Sequence, residues 1–319
     1  QAATIGEIAQ PRESWEPGDK VTATITCEGV AAGLTLDARL VDAYGRAIAQ
    51  TTVPAAAEAT VALAPPAEQI LCVGHKLFVK LMDDAHEVDS AWTDVYFPRR
   101  GYEDPARDFH ISAWGDGYTN PVISRQYSKM LIELGLNGKF GSLPYATSET
   151  GLIPGLHGHA GHVFSAGKPP GGGVRNPCLS DPAIIEKYTT EAREEVADLG
   201  RFGLFAVNIQ DEATLASRHD RYEVCFSEHC QGRYREWLAK LYGDIGALNA
   251  EWGTDYGSFA EVSGSRTEDV RGSENFAPFV DFRTFMTDVW VDGMGRIVEA
   301  YNSGLPTARV GHTNTFGSC

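Results

Sequence analysis

The sequence has no apolar run near 18 residues, the length that a membrane-spanning helix needs. It also lacks a basic excess, because 27 lysines and arginines stand against 43 aspartates and glutamates, for a net charge of −16. Such a charge repels phosphate backbones and anionic membrane surfaces, so we expect neither a nucleic-acid nor a membrane partner. Neutral small molecules, sugars among them, remain compatible with this charge.

Cysteine is scarce as well: six cysteines in 319 residues are too few for a disulfide scaffold. Their number does not fix the compartment, and a secreted or periplasmic location is our expectation. No signal peptide is recognisable and the chain opens at Gln1, so we expect a processed chain or part of a longer one. With 43% apolar and 22% charged residues, the composition is that of an ordinary globular protein, long enough for two domains.

Residues 1–100 predict an all-β domain. Three segments alternate apolar and polar residues with a period of two, as half-buried strands do: 21–27, 34–40 and 77–81. Turn residues fall between the segments, and this spacing predicts an Ig-like β-sandwich that serves as a supporting module. Cys27 and Cys72 are either a disulfide in this domain or two buried thiols.

Residues 101–319 predict alternating strands and helices. The predicted strands are 109–115, 136–140, 152–157, 204–210 and 308–314, with helical apolar stripes between them. This alternation predicts a parallel sheet with helical crossovers. A (β/α)8 TIM barrel needs eight strands, so we expect about five strands of such a barrel here. The rest of the barrel is expected from polypeptide after Cys319.

An acidic pair, Asp211 and Glu212, follows the predicted strand 204–210. Polar residues at the carboxyl ends of parallel strands are often functional. The pair could equally cap the next helix, and position alone does not separate the two interpretations.

A series of motifs follows and precedes this pair. They are Asn-Pro-Cys-Leu-Ser-Asp-Pro at 176–182, Cys-Phe-Ser-Glu-His-Cys at 225–230, Arg-Glu-Trp-Leu at 235–238, Leu-Asn-Ala-Glu-Trp-Gly-Thr at 248–254 and Asp-Phe-Arg-Thr-Phe at 281–285. In this order the chain resembles the β-galactosidases of glycoside hydrolase family 42 and their relatives in clan A. The resemblance covers roughly residues 176–314 and does not extend to residues 1–100.

The resemblance implies a retaining glycoside hydrolase with Glu212 as the general acid/base, acting on β-galactoside-like bonds of an oligo- or polysaccharide. The leaving sugar oxygen needs a proton, which a carboxyl with a pKa raised to about 6–7 supplies near neutral pH. A second carboxylate about 5 Å away acts as nucleophile in such enzymes. The clan places it on the seventh strand, so we expect it beyond Cys319 and expect these 319 residues alone to hydrolyse no glycoside.

Two positions depart from the family pattern. Asp211 stands where the clan usually has an asparagine that hydrogen-bonds the sugar, which raises the alternative of a clan A glycosidase with another sugar specificity. The family's structural zinc is matched by Cys178, Cys225 and Cys230, while Ser227 replaces one cysteine. Two alternatives remain open: three thiolates with His229 nearby hold zinc, or the metal is lost. Catalysis itself is expected to need no cofactor.

Several further residues are candidate substrate contacts. His157, His159 and His162 lie in a glycine-rich loop where they could contact sugar hydroxyls, ligate a metal or have no role. Trp114 and Tyr118 could stack against sugar rings or belong to the core. A non-catalytic carbohydrate-binding protein with a degenerate barrel is the rival from another functional class.

Overall fold

The computed structural model describes residues 3–98, 111–115, 120–141, 147, 150–164, 173–213, 215, 224–305 and 309–315. Its contacts divide the chain into two compact units. The first comprises Gln1–His157, Ala197–Val207 and Thr307–Arg309, and the second Gly158–Val196, Asn208–Pro306 and Val310–Cys319. The domain boundary predicted at residue 100 lies outside the described residues and stays a prediction.

The first unit begins with seven strands in two sheets. The strands are β1 (Thr4–Ala9), β2 (Val21–Glu28), β3 (Thr35–Asp42), β4 (Ala47–Pro54), β5 (Glu58–Leu63), β6 (Gly74–Asp83) and β7 (His86–Tyr96). One sheet has the order β1-β2-β5 and the other β4-β3-β6-β7, with antiparallel neighbours throughout. All three predicted strands are therefore confirmed within a two-sheet sandwich.

The period of two explains how the sandwich core forms. In β2, Val21, Ala23 and Ile25 are buried while the residues between them are partly exposed. Buried alternate residues of β3, β5 and β6 join them in one hydrophobic cluster. Each buried valine, leucine or isoleucine side chain contributes about 1.5–3 kcal/mol by leaving water. Cys27 and Cys72 are both free and buried, so the buried-thiol interpretation is confirmed and the disulfide is wrong.

A third sheet has five strands. They are β8 (Ser112–Ala113), β9 (Gly138–Gly141), β10 (Ile153–His157), β11 (Ala206–Ala213) and β12 (Arg309–Thr315). The spatial order β12-β11-β10-β9-β8 follows the chain, and β9 pairs in parallel with both β8 and β10. Consecutive parallel neighbours are typical of part of an α/β barrel. The prediction of about five strands is confirmed for the described residues.

The helices are α1 (Pro121–Glu133), α2 (Pro182–Leu199), α3 (Glu228–Tyr242), α4 (Ile245–Trp252), α5 (Thr267–Val270) and α6 (Ala277–Gly304). Four of them follow a residue whose side chain accepts a bond from the first turn: Asn120 for α1, Asp181 for α2, Ser227 for α3 and Asp244 for α4. Gly253 ends α4 in the left-handed region, which glycine adopts without strain. Among the described residues, no helix has the length and apolar character to cross a membrane.

One prediction about the acidic pair needs correction. Strand β11 continues to Ala213, so Asp211 and Glu212 lie within its last three residues and not after it. The side chain of Thr313 on β12 donates to Asp211, and its backbone N–H donates to Asn208, so the neighbouring strand holds this stretch extended. The first described helix after the pair, α3, is capped by Ser227. The helix-cap interpretation is therefore wrong for the described helices.

Candidate functional site

The end of β11 brings three polar side chains together. The Thr313 hydroxyl donates to Asp211 Oδ1 at 3.0 Å, and Asn208 Oδ1 accepts from the Thr313 backbone at 3.1 Å. Asp211 therefore acts as an acceptor here, as expected of a carboxylate. The backbone of Glu212 belongs to the strand, but its side chain lies outside the described residues.

An aromatic group lies on one face of β8, β9 and β10. Trp114 and His157 meet edge to face at 4.4 Å between ring centroids, and Phe140 lies 5.6 Å from Trp114. Lys139, the neighbour of Phe140 in β9, is buried on the opposite face, where it donates to two serines of α1. Because successive strand residues point to opposite faces, Phe140 lies on the face turned away from α1.

The structure thus brings together two of the predicted substrate contacts, Trp114 and His157. The Trp114 side chain is 48% exposed, so the group is open to a ligand. Edge-to-face packing holds the indole ring in place. Tyr118 lies outside the described residues, and its predicted role is neither supported nor weakened.

His159 and His162 lie on a short 3-10 helix, His159–Phe164, in the second unit. Both side chains are exposed and their rings stack at 6.2 Å. The backbone N–H of His159 donates to Glu195 Oε2 at 3.1 Å, and the Tyr301 hydroxyl donates to the same oxygen at 2.6 Å. The backbone N–H of Ala160 donates to that hydroxyl at 3.4 Å.

Glu195 and Tyr301 are the residues that sequence reasoning missed. Burial, together with the Glu195 charge, raises the pKa of Tyr301 well above its usual range, so the hydroxyl stays protonated and remains a donor. The sequence offered one signal for this contact, because Tyr301 belongs to the buried stripe of α6 and a buried hydroxyl needs a hydrogen-bond partner. Its partner lies on α2, far away in sequence.

A cysteine cluster gathers residues from before α2 and from the start of α3. Cys178 Sγ lies 3.8 Å from Cys225 Sγ, and the Ser227 hydroxyl lies 3.0 Å and 3.3 Å from these two sulfurs. Ser227 also accepts from the backbone N–H of Cys230, as the N-cap of α3. Cys230 itself is buried, with its sulfur 3.5 Å from that of Met286.

The three thiols of the cluster differ in pKa. Hydrogen bonds from Cys178 and Cys230 lower the pKa of Cys225, and the same bonds raise the pKa of the two donors. Buried Arg175 lies beside the cluster, where its backbone N–H donates to Cys225 Sγ at 3.4 Å. Its guanidinium donates to the carbonyls of Val163 and Leu215 at 2.9 and 2.8 Å. A positive charge at this place favours a thiolate on Cys225.

The donor set can be compared with what zinc requires. Two thiolates on tetrahedral zinc, with Zn–S bonds of about 2.3 Å, stand about 3.8 Å apart, as the sulfurs of Cys178 and Cys225 do. The place of the replaced cysteine holds a serine hydroxyl, which is already engaged as a helix cap. No group of three or more His, Cys, Asp or Glu side chains in the described parts of the chain is arranged to hold a metal ion. The cysteine cluster therefore falls one ligand short of the family's zinc site.

The motifs that carry the family resemblance form a scaffold in the second unit. Asp281 on α6 accepts from Tyr242 Oη at 2.6 Å and from Trp252 Nε1 at 2.8 Å. Asn249 Oδ1 accepts from the Thr254 hydroxyl at 2.9 Å and from the Tyr256 backbone at 3.0 Å. These bonds tie α3, α4 and α6 together and close the turn after α4, which explains the need for these residue types.

The five-stranded sheet and its helices have the arrangement of part of an α/β barrel, with an acidic pair at the end of an inner strand. The solved catalytic domain of β-amylase from Paenibacillus polymyxa has a similar fold, with a TM-score of 0.51 and 13% identity over 64% of this chain and 66% of that one. At this identity the likeness concerns the fold alone.

The sequence comparisons are more specific. The family model for glycoside hydrolase family 42, described as beta-galactosidase, matches residues 163–315. The beta-galactosidase of Thermus thermophilus is 41% identical over 98 residues, which are 28% of this chain and 14% of that protein. Beta-galactosidase BgaA of Planococcus sp. (strain 'SOS Orange') is 23% identical over 159 residues, 46% of this chain and 22% of that protein. The predicted resemblance to glycoside hydrolase family 42 is thereby confirmed over this part of the chain.

The matched segments are short compared with the relatives themselves. The chain spans 14% and 22% of the lengths of the two beta-galactosidases. Activity, substrate and partners of the whole protein are therefore matters for proposal.

Proposed function

We propose that this chain carries the acid/base part of a retaining, β-galactosidase-like glycoside hydrolase, with Glu212 as the general acid/base. One observation carries the proposal: Asp211 and Glu212 occupy the carboxyl end of β11, inside the segment that matches family 42. In parallel α/β folds this is the edge at which catalytic side chains gather. The substrate is an oligo- or polysaccharide with a β-galactoside-like bond.

The reaction has two steps. First, protonated Glu212 gives its proton to the glycosidic oxygen as the bond to the anomeric carbon breaks, while a second carboxylate attacks that carbon. Next, water attacks the glycosyl-enzyme, Glu212 takes up the water proton, and the nucleophile leaves. Two inversions give net retention. We place the nucleophile about 5 Å from Glu212, on polypeptide that follows Cys319.

The aromatic group is proposed to supply substrate contacts as well. The exposed ring of Trp114, held by His157, suits stacking against a sugar, and Tyr118 would add a second ring. His159 and His162 are exposed donors and acceptors on a loop that Glu195 anchors. No cofactor takes part in this chemistry.

Asp211 favours a second candidate within the same class, a clan A glycosidase of another sugar specificity. An ionised aspartate only accepts hydrogen bonds, whereas asparagine also donates. Its Oδ1 already accepts from Thr313, so the remaining acceptor capacity suits a sugar hydroxyl that donates. A non-catalytic carbohydrate-binding protein is the rival outside the enzyme class.

The N-terminal sandwich is proposed to be Ig-like and supporting. Its seven antiparallel strands in two sheets, β1-β2-β5 and β4-β3-β6-β7, agree with this class in strand number and layering, with β4 beside β3 instead of β5. The predicted catalytic residues all lie outside its strands.

Proton NMR of the first product tests the proposal in the full-length protein. Hydrolysis of an aryl β-galactoside should release the β-anomer first, and mutarotation should follow. Initial release of the α-anomer would contradict retention. Sugar binding without any turnover would favour the non-catalytic rival, and faster turnover of another aryl glycoside would favour the second candidate.

A further inference from the structure

The first unit contains a cavity that the acid/base site does not use. Its volume is about 500 Å³, within the range of about 300–1,000 Å³ that is usual for small-molecule sites. The outer face of β3, β6 and β7 forms one wall, and α1 contributes the other. The lining side chains that matter here are Lys76, Phe78, Trp92, Arg125 and Lys129.

Two aromatic rings stand on the sheet side of the cavity. Phe78 and Trp92 are direct cross-strand partners on β6 and β7, so their rings are neighbours on one face. They are 36% and 53% exposed, although large aromatic side chains usually bury more of their area. Lys76 Nζ lies 3.4 Å from the Trp92 ring centroid, a cation–π contact that fixes the indole. Together the two partly exposed rings form an aromatic platform in the cavity.

The cavity is basic although the chain is strongly acidic. Three of its lining side chains, Lys76, Arg125 and Lys129, are cationic, in a chain with a net charge of −16. Lys76 pairs with Asp94 at 2.9 Å. The acidic lining residue, Asp42, has a buried side chain that pairs with Arg46 at 2.6 Å. Arg125 and Lys129 place two cationic side chains on the helix side of the cavity, and cationic side chains attract anionic groups.

We propose that this cavity binds an acidic sugar residue, with its ring on Phe78 and Trp92 and its carboxylate or sulfate at Arg125 and Lys129. The anionic part of this assignment rests on the cavity's charges. The sugar part rests on the proposed function, because the platform suits a ring and the protein is proposed to act on saccharides. The site would hold an acidic unit of the polysaccharide apart from the bond that is cleaved.

Calorimetric titration tests the proposal with the Glu212→Ala variant, so that turnover does not disturb binding. The probes are a galacturonic acid trimer, a sulfated galactose disaccharide and a neutral galactose trimer. At least one anionic probe should bind at least tenfold more tightly than the neutral trimer, and its affinity should fall as salt rises. The stronger of the two anionic probes identifies the acidic group.

Variants locate the binding. Lys129 is exposed on α1, so Lys129→Glu should fold normally and weaken binding of the anionic probe at least tenfold. Trp92→Ala should weaken it as well. Exposed Lys20 lies before β2 and outside the cavity lining, and Lys20→Glu is the matched control that should leave affinity unchanged.

Three results would overturn the proposal. The first is equal affinity for neutral and anionic probes, and the second is equal effects of the Lys129 and Lys20 variants. The third is no binding of either anionic probe at 10 mM, a concentration of about 100 times a ~0.1 mM Kd. Hydrolysis by the wild-type protein is measured separately. Failure of the cavity proposal therefore leaves the proposed activity standing, and the two failures are distinguishable.

Discussion

The anchor of the histidine loop allows a quantitative prediction for Tyr301→Phe. The substitution removes one hydroxyl from a fully buried ring and keeps the ring's packing. The lost bond to Glu195 is short, at 2.6 Å, and its acceptor is a carboxylate whose side chain is only 10% exposed. Hydrogen bonds to charged groups contribute about 1.5–3 kcal/mol.

The second bond of the hydroxyl adds little. The Ala160 N–H donates to it at 3.4 Å, which is long for a hydrogen bond. Glu195 keeps the N–H of His159 as a donor, so its carboxylate is not left bare. We therefore expect Tyr301→Phe to lower the free energy of unfolding by about 2 kcal/mol.

Urea unfolding followed by tryptophan fluorescence measures this loss. It should appear as a lower urea concentration at the midpoint of unfolding, while the dependence of the free energy of unfolding on urea stays unchanged. Tyr188→Phe on α2 is the matched control, because its hydroxyl has no hydrogen-bond partner among the described residues. Its cost should stay below about 0.5 kcal/mol. Equal midpoints for the two variants would refute the role assigned to the Tyr301 hydroxyl.

Two further predictions concern the thiol cluster and a buried histidine. The wild-type protein should purify without zinc. The Ser227→Cys variant completes four thiolates and should bind about one zinc per chain by elemental analysis. One zinc per wild-type chain, together with a melting temperature of the protein that a chelator lowers, would contradict this. Burial lowers the pKa of His75, so below pH ~6.5 the unfolded chain binds a proton that the folded chain does not, and stability falls as the pH falls. Urea unfolding between pH 7 and 5 measures the free energy of unfolding at each pH. His75→Leu should make its dependence on pH weaker, whereas substitution of the exposed histidine in His86→Gln should not. Equal pH dependence in the wild type and both variants would show that His75 is not responsible.

The strands that sequence reasoning located are those with one buried and one exposed face. β2 and β3 alternate throughout, and β6 alternates from His75 onward, because the sandwich core covers one side of each. β4 and β7 are the edge strands of their sheet, and much of both faces is exposed. Their apolar residues therefore show no clear period, and the sequence alone does not single them out.

The parts of the candidate site that could be predicted are those whose residues are close together in the sequence. The acidic pair and the cysteines are adjacent in short motifs, whereas the pairing of Glu195 with Tyr301 joins residues 106 positions apart. No local pattern can predict such a contact. The continuation of β11 through Asp211 was missed for a similar reason, since the bond that accompanies it comes from Thr313 on another strand.

The central claim is that Glu212 protonates the leaving group, and the leaving group's own acidity tests it most directly. In the full-length protein, Glu212→Ala should lower kcat/KM for a natural galactoside by about 10²–10⁴-fold. An aryl galactoside with a strongly activated leaving group needs little protonation, and its kcat/KM should fall far less. Equal losses on the two substrates would contradict the acid role of Glu212.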